Sequence, residues 1–269
     1  MTVGGNAIGV FDSGIGGLSV LDALRIELPH EDFVYYSDSA HAPYGERDEA
    51  HVIERSVAVA HELVTRHGIK SLVVACNTAT AAAIRVLRET YPALPLVGVE
   101  PALKPAVAVS RTLRIAVLAT RGTTTSRKFE ALRDSLSAQA EFVVVACDGL
   151  ASAIERDDAP GIAALCARYL GEAGKFGMQA GEIDALVLGC THYPFVADEL
   201  RRHTGPDVRF IDTGAPVAQH TRRLLSAAGL LGSRTTSGAL LLTGSGDRQA
   251  LQAAAARWLR KAPAAEAAA

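Results

Sequence analysis

Cys76 and Cys190 are the residues whose setting most strongly suggests chemistry. Each ends an apolar run and is followed at once by hydrogen-bonding side chains, in Leu72-Val73-Val74-Ala75-Cys76-Asn77-Thr78 and Leu186-Val187-Leu188-Gly189-Cys190-Thr191-His192. A thiol has an ordinary pKa of about 8.5, so it becomes a useful base only when its thiolate is stabilised. The N–H groups of a following helix, or a His192 imidazolium, can do this. We therefore expect the two thiols to face one another across a single substrate.

The elements that position these thiols are predicted to be strands of a parallel sheet. Both apolar runs have the pattern of strands buried on two faces, and ligands bind such sheets at the carboxyl ends of the strands. Strands alternate with helical patterns along the chain, which predicts βαβ units. The pattern of the strand at Ile8 restarts at Ile115, 107 positions later, and Cys190 lies 114 positions after Cys76. The sequence therefore indicates two similar α/β halves.

The predicted fold class is α/β, with two similar parallel-sheet domains facing each other across a central cleft. The first domain is expected to be discontinuous, with residues 1–100 plus 210–262, and the second to span residues 101–209. The apolar runs at 208–211 and 239–243 are predicted strands with which the chain crosses back and completes the first sheet. Residues 263–269, which are mostly alanine, are expected to form a disordered tail.

Composition limits the class of protein. The 269 residues are 49% hydrophobic and 21% charged, which predicts a sizeable core and argues against general disorder. A net charge of −2 gives no basic footprint for nucleic acid. No apolar run is long enough for a membrane span, and the N-terminus lacks the features of a signal peptide. The four cysteines form no CxxC pair, so we expect free thiols in a soluble cytoplasmic protein.

Two other kinds of thiol chemistry compete with this interpretation. Cys190 and His192 are two positions apart, and His41 or His192 could join Cys76 at a metal, but no CxxC or HxxxH spacing supports a structural zinc site. A cysteine and a histidine can also form a protease-like nucleophile and base. That interpretation leaves the second thiol and the repeat unexplained. For Cys147 and Cys166, ordinary packing is the better interpretation.

Several polar residues at strand ends are further candidates. The turn at 12–17 is neither GxGxxG nor a P-loop, so it gives little support for nucleotide binding. Asp12 can either cap the following helix or face the cleft and pair with a ligand ammonium group. Asp38 has a similar position, and Pro43-Tyr44-Gly45 can form a rigid loop that brings N–H groups to a carboxylate. Three residues are either ordinary surface or turn residues or parts of the site: Thr120, Thr123 and Glu155.

Six segments of the chain together resemble the bacterial glutamate racemase family of the aspartate/glutamate racemase superfamily. They are IGVFDSGIGGLSVL from Ile8, YYSDSAHAPYGER from Tyr35, LVVACNTAT from Leu72, ATRGTTTS from Ala119, ACDGLASAIE from Ala146 and LGCTHYPF from Leu188. They cover nearly the whole chain, and the paired ACNTAT and GCTHYP segments are highly specific. The sequence departs from the family where Asp148 follows Cys147, a position at which the family often has proline. Its TRGTTTS turn is also richer in threonine.

This resemblance implies an isomerase that interconverts L- and D-glutamate without a cofactor or metal and supplies D-glutamate for peptidoglycan. Inverting the α-carbon requires a proton to leave one face and another to arrive at the opposite face, which two bases can do. In the family, the residue matching Cys76 takes the proton from D-glutamate and that matching Cys190 takes it from L-glutamate. The implied partner is the small-molecule substrate glutamate, with neither nucleic acid nor membrane, and a homodimer is a family-level expectation.

The resemblance also implies roles for individual residues. Asp12, beside Cys76, and His192, beside Cys190, match groups that assist the thiols and contact substrate. The other matching substrate-binding positions are Ser13, Tyr44, Gly45, Asn77, Thr78 and Thr191. Supporting positions are Asp38, Glu155, Thr120 and Thr123. Two alternatives stay open: a racemase for aspartate or another amino acid, and a two-lobed binding module for a small ligand.

Overall fold

Nine parallel strands form two separate sheets in the computed structural model, which describes residues 6–260. The strands are β1 Ile8–Asp12, β2 Phe33–Ser37, β3 Ser71–Val74, β4 Leu96–Gly98, β5 Arg114–Ala119, β6 Glu141–Ala146, β7 Ala185–Leu188, β8 Arg209–Ile211 and β9 Leu240–Gly244. The first sheet has the order β4-β3-β1-β2-β9, and the second has the order β6-β5-β7-β8. The predicted fold class, with two parallel-sheet α/β domains, is confirmed.

Helices connect the strands and cover both faces of each sheet. They are α1 Leu18–Glu27, α2 Glu49–His67, α3 Asn77–Thr90, α4 Leu103–Val109, α5 Arg121–Thr124, α6 Arg127–Asp134, α7 Leu150–Glu155, α8 Ala159–Ala173, α9 Ala197–Thr204, α10 Gly214–Ala227 and α11 Arg248–Trp258. Local signals fix their ends. The Asp48 carboxylate accepts a hydrogen bond from the His51 N–H at the start of α2, and Gly68 ends that helix with a left-handed φ of 56°. None of the helices within residues 6–260 combines the length and apolar character that crossing a membrane requires.

The two sheets share one topology. Read in the matching direction, β8-β7-β5-β6 repeats the order β4-β3-β1-β2. Equivalent hydrogen bonds lie beyond the strand ends: Ala75 N–H donates to the Phe11 carbonyl and Gly189 N–H donates to the Leu118 carbonyl, each at 2.7 Å. Cys76 and Cys190 follow these donors, so the two thiols occupy equivalent positions in the two halves.

One predicted strand belongs to a different sheet from the one expected. The run at 208–211 forms β8, which pairs with β7 in the second sheet, so the expectation that it completes the first sheet was wrong. The reason is the repeat, in which β8 is the counterpart of β4. Each of these strands pairs with the strand that precedes a cysteine, β7 or β3. The run at 239–243 does return, as β9 pairs with β2. The exact domain boundaries remain a prediction, and the predicted tail at 263–269 lies outside the described residues.

Apolar side chains alternate between the two faces of each sheet, as buried parallel strands require. Phe11 and Val74 pack with α2 and α3 on one face of the first sheet, and Val10 and Val73 pack with α1 and α10 on the other. The second sheet is covered in the same way by two further apolar clusters. Cys76 belongs to the cluster under α3, and Cys190 belongs to the one that includes α7, α8 and α9. Both thiols therefore lie where an apolar core meets the ends of the strands.

Candidate active site

One cavity between the two halves is lined by both thiols. It contains about 540 Å³, counting the part open to solvent, and the Cys76 and Cys190 side chains are almost fully buried in its wall. The other predicted site residues that line it are Ser13, Tyr44, Gly45, Asn77, Thr78, Thr120, Glu155, Thr191 and His192. The structure thus brings together, around a single space, residues from six separate segments of the chain. Asp12, Asp38 and Thr123 are not among the lining residues.

The Cys76 sulfur lies at the beginning of α3. The Ala79 N–H donates to it at 3.5 Å, and its thiol lies 3.7 Å from the Ser13 hydroxyl oxygen. Burial, together with the nearby Asp12 charge, raises the pKa of the Cys76 thiol well above its ordinary value, and the Ala79 and Ser13 contacts only partly oppose this. The N–H groups at the start of α3 are placed to stabilise a Cys76 thiolate when it forms.

Cys190 has a different environment because the residues after it do not begin a long helix. They form a short 3-10 turn, Tyr193–Val196. The Cys190 sulfur lies 3.6 Å from Nδ1 of His192, and Nε2 of the same ring lies 2.6 Å from Oε1 of Glu155. Burial alone would lower the pKa of His192, but its contacts with Cys190 and Glu155 raise that pKa well above 6.5. Glu155, His192 and Cys190 therefore form one continuous series of contacts.

The sequence offered two ways to stabilise the thiolates, the N–H groups of a following helix or a His192 imidazolium. The structure places one at each thiol, with a helix beginning after Cys76 and an imidazole beside Cys190. The difference lies in the backbone after each sulfur, because the 14-residue α3 begins directly after Cys76 and only a short 3-10 turn follows His192. The two halves therefore share a backbone plan but not the chemistry around the sulfur.

Asp12 has hydrogen bonds that close the turn after β1, while its pairing with a ligand ammonium group stays a prediction. It is fully buried, and its Oδ2 accepts hydrogen bonds from the N–H groups of Gly14 and Gly17 at 3.0 Å each. Its Oδ1 accepts a long 3.5 Å hydrogen bond from the Thr191 hydroxyl in the second half. Burial raises the pKa of Asp12, while His192 and the two N–H groups act in the opposite direction. Asp12 thus closes the turn after β1 and contacts the segment that follows Cys190.

Residues of each half complete the surroundings of the thiol in the other half. Ile15 N–H donates to Glu155 Oε1 at 2.7 Å, and the Ser19 hydroxyl donates to the Thr191 carbonyl at 2.8 Å. On the Cys76 side, the Thr78 hydroxyl lies 2.9 Å from that of Thr120. Thr120 also lies 3.0 Å from Thr123, which is buried at the start of α5. These contacts hold the two cavity walls together.

Asn77 is a buried polar side chain with an unused hydrogen-bonding capacity. Both its amide nitrogen and its amide oxygen are buried without a partner within residues 6–260. A buried amide that forms no hydrogen bond costs about 1–3 kcal/mol. Because Asn77 lines the cavity directly after Cys76, a polar ligand there would recover this energy.

The remaining cysteines differ from one another. Cys166 lies on the buried side of α8, where burial raises its pKa to about 12, consistent with a packing role. Cys147 was expected to be a packing residue, but it also lines the cavity. Within residues 6–260, no three or more His, Cys, Asp or Glu side chains are grouped so that they could hold a metal ion.

Comparison with known proteins identifies the family. The Asp/Glu/Hydantoin racemase family profile matches residues 17–240. A glutamate racemase from Methylococcus capsulatus is 46% identical over 251 residues, which cover 93% of this chain and 90% of that protein. The chain belongs to the glutamate racemase family. A second member, from Pseudomonas aeruginosa, is 46% identical over 87% of this chain and 86% of its own length.

Solved structures of glutamate racemases have the same architecture. An isoform from Bacillus anthracis superposes with a TM-score of 0.82 at 31% identity, covering 94% of this chain and 93% of that one. The Escherichia coli glutamate racemase, solved with L-glutamate and the activator UDP-MurNAc-Ala, gives a TM-score of 0.80 at 29% identity, covering 94% of this chain and 95% of that one. The similarity extends over both α/β domains.

Sequence reasoning missed several residues around this glutamate racemase-like cavity. Arg121 and Asp148 line it and form an ion pair, and Glu46 lines it and accepts a hydrogen bond from the Gly149 N–H at 3.1 Å. Arg55 and Ser19 lie outside the cavity but bind residues that support it. Arg121 and Asp148 lie within two of the segments that resemble the family, ATRGTTTS and ACDGLASAIE, and this position could have marked them as site residues. The side chain of Arg55 gives no comparable signal.

Proposed function

We propose that this protein interconverts L- and D-glutamate, with Cys76 and Cys190 as its two acid–base groups and without a cofactor. The single observation that carries this proposal is that the two thiols line one cavity from equivalent positions in two repeated halves. A substrate bound between the halves would present opposite faces of its α-carbon to the two sulfur atoms. The family membership supports glutamate as the substrate.

The proposed reaction removes one proton from the α-carbon of glutamate and adds another to its opposite face. When D-glutamate is bound, the Cys76 thiolate takes the α-proton, and the electron pair of the C–H bond remains on the substrate as a carbanion. The Cys190 thiol then delivers its proton to the opposite face. L-glutamate is formed, Cys76 is left as a thiol and Cys190 as a thiolate. The reverse reaction begins from this state, with Cys190 as the base.

The carbanion needs strong electrostatic support because the α-proton of an amino acid is only weakly acidic. Hydrogen bonds to the α-carboxylate that strengthen as negative charge develops would supply it. Asn77 and Thr78, at the start of α3, and Thr191, after Cys190, are suitable donors that line the cavity. The unpaired Asn77 amide supports this assignment, since a bound carboxylate gives its NH₂ group an acceptor. Ser13 and the Tyr44-Gly45 backbone would bind the remainder of the substrate.

Two residues are proposed to assist the thiols without taking the α-proton. His192, held by Glu155, stabilises negative charge on Cys190 and can return a proton to it. Asp12, with its raised pKa, lies close enough to Cys76 and His192 to influence the charge of both. Closing the cavity around the substrate would exclude water and strengthen all these interactions.

The biological setting is proposed on the same basis. D-glutamate is a component of peptidoglycan, so the reaction would supply cell-wall synthesis from a cytoplasmic pool of L-glutamate. A homodimer is proposed as the assembled state. Its molecular mass by light scattering tests this, since a value near the 28.2 kDa of one chain would contradict it.

Isotope exchange tests the proposed activity directly. The protein is incubated with L-glutamate in heavy water, and deuterium at the α-carbon and optical rotation are followed together. We expect deuterium to enter as optical activity is lost, because the thiol that delivers the second proton exchanges with solvent. Tight binding of glutamate without exchange would instead support a binding module. Parallel incubation with L-aspartate separates the two substrates, and faster exchange with aspartate would contradict the choice of glutamate.

A further inference from the structure

A buried carboxylate next to the cavity collects donors from three side chains. Asp38, directly after β2, is fully buried, and its two oxygens accept from Nε and Nη2 of Arg55 at 3.0 Å each. The Tyr44 hydroxyl donates to the same carboxylate at 2.6 Å, and Nδ1 of His41 lies 3.1 Å from it. Such a two-point contact between a guanidinium and a carboxylate fixes both groups in one orientation. Arg55 thereby holds the carboxylate that Tyr44 and His41 contact.

The segment that contains Tyr44 is where the first half closes on the second. Residues 42–46 all line the cavity. Gly45 lies so close to Thr120 that a Cβ atom added to it would be 2.7 Å from the Thr120 Cβ. Glu46 accepts a hydrogen bond from the Gly149 N–H across the cleft at 3.1 Å. A small displacement of this segment would therefore alter the cavity and its closure together.

We propose that Arg55 is a positioning residue for the reaction: by anchoring Asp38, and through it Tyr44, it holds residues 42–46 in the arrangement that binds glutamate. This inference rests on the proposed function. Arg55 itself does not line the cavity. It lies on α2, and 21% of its side chain is exposed. Its effect is thus transmitted through two hydrogen-bonded side chains. Lysine at this position would keep the charge but lose the two-point contact.

The proposal predicts which kinetic constant changes. Residues 42–46 contact the substrate in the ground state and in the transition state, so loosening them removes binding that is common to both. Such a change raises KM and leaves kcat nearly constant. Because the two enantiomers have equal free energies, kcat/KM must fall by the same factor in both directions. We expect KM to increase roughly 10-fold. A displacement of 1 Å in an active site can lower the reaction rate by ~100-fold, so an effect of this size is reasonable for a small displacement.

The test compares Arg55→Gln and Arg55→Lys with Arg66→Gln, a matched control on the same helix whose side chain is 73% exposed and pairs with Glu62. KM and kcat are measured with each enantiomer by circular dichroism. Arg55→Gln should show the full increase in KM, Arg55→Lys an intermediate one, and Arg66→Gln none. If Arg55→Gln does not fold, Arg55→Lys alone decides the outcome. An unchanged KM in the variants would overturn the proposal.

A double-mutant cycle separates positioning from a general loss of structure. Tyr44→Phe removes the hydroxyl that donates to Asp38, so a combined Tyr44→Phe and Arg55→Gln variant should raise KM little more than the stronger single change. If the KM increases of the two single variants multiply in the double variant, Arg55 acts by another route and the proposal is overturned. Wild-type protein that fails to racemise glutamate would overturn the proposed function and this role with it. Normal wild-type turnover with an unaffected Arg55→Gln variant would overturn this role alone.

Discussion

Glu155 and His192 form an ion pair with 2.6 Å between Oε1 and Nε2, and the opposite nitrogen of the same ring faces the Cys190 sulfur at 3.6 Å. A carboxylate, an imidazole and a thiol thus lie in one row on the Cys190 side. On the Cys76 side, the helix N–H of Ala79 and the Ser13 hydroxyl take this place. The Cys76 and Cys190 sulfur atoms are therefore supported by different chemistry, and changes on each side should have different effects.

Removal of either cavity thiol should stop racemisation. In Cys76→Ala or Cys190→Ala, one face of the α-carbon loses its proton donor and acceptor, so we expect the rate to fall by at least about 100-fold in both directions. Circular dichroism of the substrate measures this. Cys166→Ala is the matched control, since Cys166 is buried in the core away from the cavity, and it should retain turnover. Substantial activity in either cavity variant would contradict the two-thiol assignment.

The charge of Glu155 should set the pH range in which His192 is protonated. The pKa of His192 is raised in part by Glu155, so Glu155→Gln should lower it, and the imidazolium should then be lost at a lower pH. The amide oxygen of glutamine can still accept from the Ile15 N–H, which preserves the local contact. We expect the limb of the kcat profile that depends on His192 to move to lower pH by about one unit.

A surface variant provides the control for this shift. Glu172→Gln removes an exposed carboxylate that pairs with Arg168 on α8, and its kcat profile should match that of the wild type. A Glu155→Gln profile that coincides with both of these would show that Glu155 does not control the charge of His192.

Asp38 should stabilise the fold at neutral pH but not in acid. Burial alone would raise its pKa, but the hydrogen bonds from Arg55 and Tyr44 hold that pKa below 3.8. A lowered folded-state pKa means that the stabilisation is complete above the unfolded-state value and is lost as pH falls through the folded-state value. Asp38→Asn should therefore lower the free energy of unfolding at pH 7 by about 2 kcal/mol. Urea unfolding measures the difference.

This difference should shrink as pH falls below 3.8, because Asp38 then takes up a proton first in the unfolded chain and, at still lower pH, in the folded protein. Asp134→Asn is the control, since Asp134 is exposed and pairs only with its neighbour Arg133 among the described residues. It should change stability by less than about 0.5 kcal/mol at any pH. A difference for Asp38→Asn that stayed constant into strong acid would rule out the charged network as its cause.

Gly45 should tolerate no side chain because the two halves meet at this residue. In Gly45→Ala, the new Cβ would lie 2.7 Å from Cβ and 2.9 Å from Cγ2 of Thr120, so the cavity walls must separate. We expect kcat/KM to fall by about 10-fold or more. Gly171→Ala is the matched control: nothing lies within 4 Å of the added Cβ, and Gly171 is inside α8. That variant should keep full activity and gain about 0.5–1 kcal/mol of stability.

The elements that carry the thiols could be predicted from sequence because their signals are local. The apolar runs before Cys76 and Cys190 are buried on both faces, as parallel strands require, and the polar residues after them line the cavity. The sheet of β8 could not be predicted, since its three residues, Arg209-Phe210-Ile211, are only half-buried or exposed. Such a short run does not show which sheet it joins.

The supporting residues depend on contacts that sequence spacing does not encode. Glu155 has the local pattern of a surface residue on a helix, yet it binds Ile15 from the other half. Arg55 lies on the partly exposed side of α2. Its role as the partner of Asp38 can be recognised only in the structure, where the Asp38 carboxylate is fully buried. A pattern within one helix predicts which side faces a core, but not which distant polar group it meets.

The chain passes between the two halves twice, between β4 and α4 and again between β8 and α10, and the two crossings are neighbours because α4 contacts β8 and α10 contacts β4. Two adjacent covalent connections permit rotation about the line that joins them and resist sliding or twisting. The contacts of Gly45 with Thr120 and of Glu46 with Gly149 involve no covalent bond and can separate. A book-like swing of the two halves about this line would open the cavity and bring the Cys76 and Cys190 sulfur atoms back to the same relative position on closing.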